Sequence, residues 1–250
     1  MSLYPKVPDA TVGASVDLAT AGSHKRERRK DARPGELLAA ALDLFVEKGF
    51  AATRAEEVAQ RAGVSKGTLF LYFASKEELF KAVVRENITA HYPQWHDQIR
   101  SFEGSTANML HGCMLSWWSS VGDTKASGIT KLMVSEGANF PELAAFYFQE
   151  AIAPGQALIR SILERGIARG EFRAVDLKHS VHALIAPMLY LMLWKHSAAT
   201  ALPPEARLSP PDYLATQVDL LLHGLCKTHP KSHPTKTRQP ATLSPGSPAP

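Results

Sequence analysis

The segment 53–80 reads "TRAEEVAQRAGVSKGTLFLYFASKEELF" and combines three short helix signals with two tight turns. Thr53 opens a capping-box pattern, which predicts the start of a first helix. Gly63 can adopt the positive φ at which such a helix ends. Ser65 and Ser75 then predict the starts of two further helices, because serine side chains accept hydrogen bonds from the first free backbone N–H groups. The segment is therefore predicted as helix, glycine turn, short helix and supporting helix.

Apolar residues at helical spacing surround this segment on both sides, and no stretch shows the alternation of a strand. Before it, a helix is predicted from Pro34, which suits a first turn, to Gly49. The helix after Ser75 is expected to run toward Tyr92, where Pro93 should stop or kink it. Further helices are predicted at about 105–121, 125–136, 141–151, 154–169, 176–197 and 211–226. The predicted fold class is therefore all-α.

Helix, tight turn and short helix is the helix-turn-helix arrangement, in which the second helix enters the DNA major groove. In 54–73 the apolar residues are expected to pack across the turn, which leaves polar residues facing outward. The outward residues are Ser65, Lys66, Thr68 and Tyr72. Gly67 would let one backbone approach another closely. This pattern predicts an N-terminal three-helix helix-turn-helix DNA-binding domain, followed by a larger helical domain.

The segment 53–80, with "LAAALDLFVEKGFAA" before it, resembles the DNA-binding domain of the TetR/AcrR family of bacterial regulators. The resemblance rests on the Gly-Val-Ser turn, the Thr-Leu pair, the Tyr-Phe pair and the Ser-Lys-Glu-Glu-Leu run. It implies an all-helical homodimer whose larger domain binds a small-molecule effector. The usual function in the family is repression, with the ligand releasing the protein from a pseudo-palindromic DNA operator.

The resemblance also implies which residues form the DNA interface. They are Thr53, Arg54, Ser65, Lys66, Gly67, Thr68, Phe70, Tyr72 and Lys76. The first two and the last two are expected at phosphates, and the run from Ser65 to Thr68 at the start of the recognition helix, near bases and backbone. Phe70 stands where the family most often has tyrosine, which removes one hydroxyl–phosphate hydrogen bond. Core packing and contact with a thymine methyl group are equal alternatives for this ring.

The basic residues are concentrated toward the two ends of the chain. The net charge is +4, and the stretch 25–33, "KRERRKDAR", alone has six basic and two acidic residues. Residues 1–33 are predicted to be a disordered extension with this basic arm, and 227–250 a disordered, Pro-rich basic tail. Between them, 34–80 is the predicted DNA-binding domain and 81–226 the ligand-binding and dimerisation domain. The arm either reaches adjacent DNA or only solvates the chain end.

Aromatic and methionine side chains in the larger domain predict a pocket for a small apolar or aromatic ligand. The candidates are His111, Met114, Trp117, Trp118, Tyr147, Phe148, Met188 and Tyr190. Of these, His111 and Tyr147 are the candidate polar anchors. For any single member of the set, packing in an ordinary core or at a dimer seam is the alternative.

The last two predicted helices, 176–197 and 211–226, are apolar over more than one face. In the family, the final two helices of each chain pair as a four-helix bundle. A homodimer through these helices is therefore expected, and its two-fold symmetry would match that of the operator.

Other functional classes find little support in the sequence. The two cysteines, Cys113 and Cys226, provide no disulfide framework and indicate a reducing compartment. No apolar run has the length of a signal peptide or a membrane span, so a cytoplasmic protein without membrane association is expected. No catalytic motif or metal-ligand cluster stands out, so no enzyme activity, cofactor or metal is predicted.

Three alternatives remain beside a ligand-released repressor. In the first alternative, the segment 53–76 is a structural three-helix bundle without a DNA function. The second alternative is a ligand-independent architectural DNA-binding protein. The third is a helical enzyme whose larger domain holds a substrate.

Overall fold

Helices make up most of the parts of the chain that the computed structural model describes, residues 18–197 and 201–225. The expected all-α fold is thus confirmed. The helices are α1 Leu18–Lys48, α2 Ala55–Arg61, α3 Lys66–Tyr72, α4 Lys76–Asn87, α5 Tyr92–Ser101, α6 Thr106–Trp117, α7 Ser127–Glu136, α8 Pro141–Tyr147, α9 Ala153–Ala168, α10 Leu177–Lys195 and α11 Pro210–Leu225. No helix in these ranges is long and apolar enough to cross a membrane.

Two π-helical turns interrupt the helices of the larger domain. One, Trp118–Gly122, extends α6, and the other, Phe148–Ile152, joins α8 to α9. The break expected between the predicted helices 141–151 and 154–169 is therefore absent, and Pro154 lies in the first turn of α9. Proline has no N–H to donate, so it is tolerated at the start of a helix, directly after the π-helical turn.

The core of the first four helices is built around three phenylalanines. The rings of Phe45, Phe50 and Phe80 are fully buried, with centroids 5.5–5.6 Å apart. Phe140, from the larger domain, packs edge-on against Phe50 at 4.8 Å. Because aromatic pairs stabilise beyond the area that they bury, this cluster joins the helix-turn-helix unit firmly to the larger domain.

The N-terminal boundary differs from the expected one. Residues 18–33 belong to α1, so Pro34 lies inside that helix and not in its first turn. The stretch is rich in Arg, Ala and Lys, which are strong helix formers and offset the one backbone hydrogen bond that proline removes. Residues 1–17 and the predicted tail 227–250 lie outside the described residues.

The serine and glycine signals around the turn are confirmed. The Oγ atoms of Ser65 and Ser75 accept hydrogen bonds from the backbone N–H groups of Thr68 and Glu78, at 3.1 and 3.2 Å. Gly63 has φ +66° and ends α2. Each of these signals acts within about three residues along the chain, so it can be recognised from the local sequence.

The predicted cap of α2 is wrong by one residue. Arg54 is the N-cap, and its backbone N–H donates to the Glu57 carboxylate at 3.2 Å. Thr53 is buried instead, and its one hydroxyl hydrogen is shared between the carbonyl oxygens of Gly49 and Leu44, at 2.7 and 3.1 Å from the hydroxyl oxygen. The threonine thus closes the end of α1 and does not begin α2.

The predicted end of α4 is also wrong. The helix stops at Asn87, because Ile88 leaves helical geometry at φ −126°, ψ −60°. A short 3₁₀ turn follows, and Pro93 lies in the first turn of the separate helix α5. Proline therefore starts a helix here, where its missing N–H costs nothing.

Contact between α7 and the α1–α2 turn yields a test of the domain junction. The Glu136 carboxylate accepts a hydrogen bond from the Ala51 N–H at 2.9 Å and fills the space where a Cβ on Gly49 would lie. We expect Gly49→Ala to lower the free energy of unfolding by about 3 kcal/mol, since Glu136 must swing away and a Cβ at φ +86° is strained.

The matched control is Gly63→Ala, where φ is also positive but nothing lies within 4 Å of the added carbon. Its expected cost is about 1–2 kcal/mol, measured like the first by chemical denaturation. In a Glu136→Ala background, Gly49→Ala and Gly63→Ala should lower the free energy of unfolding by the same amount. A difference that persists in that background would contradict the role assigned to Glu136.

Candidate DNA-reading surface and ligand cavity

Helix α3 is short, and one side chain fixes it to its support. Leu69 is fully buried, and the turn before α3 is closed by the hydrogen bond from the Val64 N–H to the Ala59 carbonyl at 2.9 Å. At the N-terminus the Ser65 and Thr68 hydroxyls bond each other at 2.9 Å. The remaining surface of α3 is thereby held in place and turned outward.

Five residues that were assigned to the DNA interface do lie together at this outward surface. They are Ser65, Lys66, Gly67, Thr68 and Phe70, of which only Thr68 is partly buried and the others are exposed. Arg54 is exposed nearby at the start of α2, and Tyr72 is partly buried at the end of α3. The helix-turn-helix geometry thus gathers most of the predicted set into one surface.

The charge of Lys66 at this surface is paired before any DNA binds. Lys66 Nζ forms an ion pair with the Glu56 carboxylate and lies 5.8 Å from the centre of the Phe70 ring. The hydrogen bond from Lys66 holds the pKa of the Glu56 carboxyl below its usual value. A phosphate that bound Lys66 would therefore have to compete with Glu56.

Two residues of the predicted interface face inward. Thr53 is buried, as described above. Lys76 Nζ donates to the carbonyl oxygens of Phe50 and Thr53 at 2.8 and 3.0 Å, and lies 4.3 Å from the Phe50 ring centre. This ammonium caps the chain between α1 and α2, so both residues have a structural role where the resemblance implied phosphate contacts.

One exposed residue of α3 was missed. The side chain of Leu71 is 84% exposed, next to Phe70 at 40%. The signal was available in the sequence, because residues advance about 100° around a helix and Leu71 lies about 200° from the buried Leu69. Two neighbouring apolar side chains therefore lie on the outward surface of the recognition helix.

A cavity of about 290 Å³ lies in the larger domain, between the two clusters of buried apolar side chains. Its wall combines the end of α4 with α5, α6, α7, α8, α9 and α10. Of the described residues that line it, none is Asp, Glu, Lys or Arg. The cavity therefore suits a largely apolar ligand.

Three of the eight predicted ligand residues line this cavity, namely Trp117, Tyr147 and Met188. The other five do not. Met114 and Trp118 are buried in the core, Phe148 and Tyr190 are 51% and 49% exposed, and His111 is partly buried elsewhere. Trp118 turns away because it packs on Gly122, where a Cβ would overlap the indole ring.

Apart from Tyr147, which was predicted as a polar anchor, sequence reasoning missed the polar groups of the cavity wall. The Tyr147 and Thr130 hydroxyls bond each other at 2.9 Å, and the Tyr92 hydroxyl donates to the Ala151 carbonyl. Burial raises the pKa of both phenols, so they stay protonated. Trp95 also lines the cavity, and its indole N–H is buried without a partner among the described residues. The sequence analysis ended α4 near Tyr92 and predicted no further helix before about residue 105, so Tyr92 and Trp95 were not recognised as members of a helix that lines the cavity.

Two contacts connect the cavity to α4, which supports the recognition helix. Ile88, the residue that ends α4, lines the cavity directly. Arg85 of α4 binds the Glu150 carboxylate through Nε and a terminal nitrogen, at 2.8 and 2.6 Å. Glu150 belongs to the π-helical turn whose Ala151 and Ile152 line the cavity. The same turn thus contacts the ligand space on one side and α4 on the other.

Two family models match this chain, one over the helix-turn-helix unit and one over the larger domain. The family model described as "Bacterial regulatory proteins, tetR family" matches residues 37–83. A second one, described as "Tetracyclin repressor-like, C-terminal domain", matches residues 103–205. The two matches follow the division between the helix-turn-helix unit and the larger domain.

Two curated relatives match over part of the chain. The transcriptional activator FasR of Mycolicibacterium smegmatis is 44% identical over 70 residues, 27% of this chain and 32% of FasR. The regulator RutR of Escherichia coli is 50% identical over 62 residues, 25% of this chain and 29% of RutR. The chain thus spans about a third of these relatives. The solved structure of the ketosteroid transcriptional regulator KstR2 of Mycobacterium tuberculosis has the same fold, with TM-score 0.61, 22% identity and coverage of 78% and 95% of the two chains.

The inward position of Lys76 gives a paired prediction with Lys66. Lys76→Met should lower the free energy of unfolding by about 1–3 kcal/mol, because carbonyl groups lose their donor. Lys66→Met, at an exposed ion pair, should change it by less than about 1 kcal/mol. Both variants carry the same Lys→Met change, so chemical denaturation of the two measures the difference in their free energies of unfolding.

For DNA binding the order of the two variants should be the opposite: Lys66→Met should have the larger effect and Lys76→Met the smaller one. Lys66→Met is expected to reduce the slope of log affinity against log salt by about 1, because one phosphate contact is lost. Folded Lys76→Met should keep the slope of the unmodified protein. A reduced slope and unchanged stability for Lys76→Met would contradict its inward role.

Proposed function

The chain belongs to the TetR family of bacterial regulatory proteins, and we propose that it is a homodimeric repressor that a small apolar ligand releases from its operator. The observation that carries the proposal is the cavity, whose wall includes the end of α4 and the π-helical turn bound to α4. A ligand in this space touches the element that positions the recognition helix.

The surface of α3 supports the DNA-binding half of the proposal. A Cβ on Gly67 would meet only Ser65 Oγ, at 3.7 Å, so internal packing leaves room for a side chain there. Because Gly67 has no side chain, a DNA backbone or base edge can come close to the start of α3. Arg54, Lys66 and the Thr68 hydroxyl would make polar contacts, and Phe70 would contact a thymine methyl group.

The last two helices support pairing with a second copy of the chain. Tyr190 of α10 and Leu220 of α11 are 49% and 61% exposed, and Tyr190 lies 5.8 Å from the Tyr213 ring. We assign the dimer contact to 176–197 and 211–226, of which only Cys226 lies outside the described residues. A two-fold pair would present two α3 helices to successive major grooves.

The cavity favours this proposal over the two alternatives that retain the fold. A ligand-independent architectural DNA-binding protein would not need a cavity against α4. For an enzyme, the described wall offers few candidate bases, since both phenols are held protonated by burial, it has no carboxylate, and its histidine, His182, is exposed to solvent.

The coupling follows from the two contacts on α4. A ligand that pressed on Ile88, or displaced the turn 148–152, would shift α4 through packing and through the Arg85–Glu150 pair. The Arg85 hydrogen bond holds the pKa of the Glu150 carboxyl below its usual value, so this pair remains charged at neutral pH. The two recognition helices of the dimer would then lose the spacing of one DNA turn.

Operator binding is the first test. The purified protein should bind DNA from immediately upstream of its own coding region at least ~10³-fold more tightly than random DNA, measured across a salt series. Two chains should bind per site. Equal, weak and salt-sensitive binding to that DNA and to operators selected from a random pool would contradict a sequence-specific regulator.

The coupling is tested with benzophenone, a neutral aromatic ketone, at a concentration that saturates the protein by calorimetry. Operator affinity should fall at least about tenfold. Glu150→Gln should reduce this effect to less than about threefold while leaving the Kd for benzophenone within about twofold, because it weakens only the link to α4.

The matched control is Glu164→Gln, which alters another exposed ion pair, with Arg160 on α9, away from α4. This variant should keep the full response. Unchanged operator affinity when the cavity is saturated would contradict the coupling itself.

A further inference from the structure

We infer that the effector is an uncharged, largely apolar molecule with one hydrogen-bond-accepting oxygen, which is bound by the Thr130–Tyr147 hydroxyl pair. The inference rests on the proposed function, since it names the ligand class of the same cavity.

The absence of charge follows from the wall. Its described residues include no Asp, Glu, Lys or Arg, and the buried part is formed mostly by aliphatic and aromatic side chains. A buried charge without a partner is strongly unfavourable, so an ionised ligand would lose far more hydration than the cavity returns. His182 and Gln156 also line the cavity, but His182 is exposed and Gln156 partly so. An anion at His182 would therefore stay in contact with water, where an ion pair contributes little.

The acceptor requirement follows from counting hydroxyl hydrogens. Thr130 and Tyr147 each carry one, and their mutual hydrogen bond at 2.9 Å uses only one of the two. Whichever residue donates in that bond, the other keeps a hydrogen. Tyr147 is 7% exposed, and no second hydrogen bond of either hydroxyl is found within the described parts of the chain. A buried donor without a partner is costly, and a ligand oxygen at this position would satisfy it.

The other donors of the wall are less suitable for this role. The Tyr92 hydroxyl already donates to the Ala151 carbonyl. The indole N–H of Trp95 is unpaired, but the nitrogen has almost no accessible surface, so a ligand meets the ring and not the N–H. His182 and Gln156 lie toward solvent, so the hydroxyl pair, on α7 and α8, is the donor that a ligand can reach in the buried part of the cavity.

Benzophenone, diphenylmethane and 4-benzoylbenzoate form a matched series of a neutral ketone, its hydrocarbon and its anion. Calorimetry without DNA should show that benzophenone binds about fivefold more tightly than diphenylmethane, as one net hydrogen bond predicts. The anion should bind at least about tenfold more weakly than benzophenone.

The double variant Thr130→Val/Tyr147→Phe removes both hydroxyls at once and leaves no unpaired partner, which keeps the expected cost to folding small. It should reduce the preference for the ketone over the hydrocarbon to less than about twofold. Tyr92→Phe, the same tyrosine change in the same cavity, should keep the preference.

Three results would overturn the inference: a ketone preference that survives in the double variant, tighter binding of the anion, or no binding of either neutral probe. The series in the unmodified protein decides the charge and acceptor requirements even if the double variant does not fold. Because DNA is absent, a ligand that binds with the expected preference but fails to release the operator would contradict the release mechanism and leave the ligand class standing.

Discussion

The chain between α1 and α2 is held from two sides by charged side chains, and the position of the DNA-reading unit depends on that hold. Lys76, at the start of α4, binds the Phe50 and Thr53 carbonyl oxygens, and Glu136, at the end of α7, binds the Ala51 N–H. Hydrogen bonds with one charged partner are stronger than neutral ones. The first contact fixes the turn to the helix that supports α3, and the second fixes it to the larger domain.

The ligand cavity is connected to the same framework. Thr130 lines the cavity on α7, the helix that also carries Glu136, and Glu150 ties the cavity wall to α4. Rigid helices transmit small shifts because packed cores do not deform continuously. A ligand at the Thr130–Tyr147 pair therefore has two physical routes to the reading unit, one through α4 and one through α7.

Local signals in the sequence predicted the reading unit well, and long-range contacts explain the errors. Ser65, Ser75 and Gly63 have the expected roles because each acts within a few residues. Thr53 and Lys76 matched the family pattern for phosphate contacts, but their partners are carbonyl groups that only the folded chain brings near.

The cavity was harder to predict, because its wall comes from seven helices far apart in sequence. A run of aromatic and methionine residues predicts burial, but it does not show which side of a helix faces a void. Trp117 lines the cavity and its neighbour Trp118 does not, since Gly122 leaves room for the second ring in the core. The polar pair Thr130–Tyr147 joins residues from two helices, a contact that no spacing in the sequence marks.

The central claim is that cavity and operator are thermodynamically linked, and reciprocity tests it most directly. The Kd for benzophenone should be measured by calorimetry for the free protein and for the protein saturated with its operator. Linkage requires operator to weaken benzophenone binding by the same factor, at least about tenfold, by which benzophenone weakens operator binding. Equal benzophenone affinity with and without operator would contradict the account.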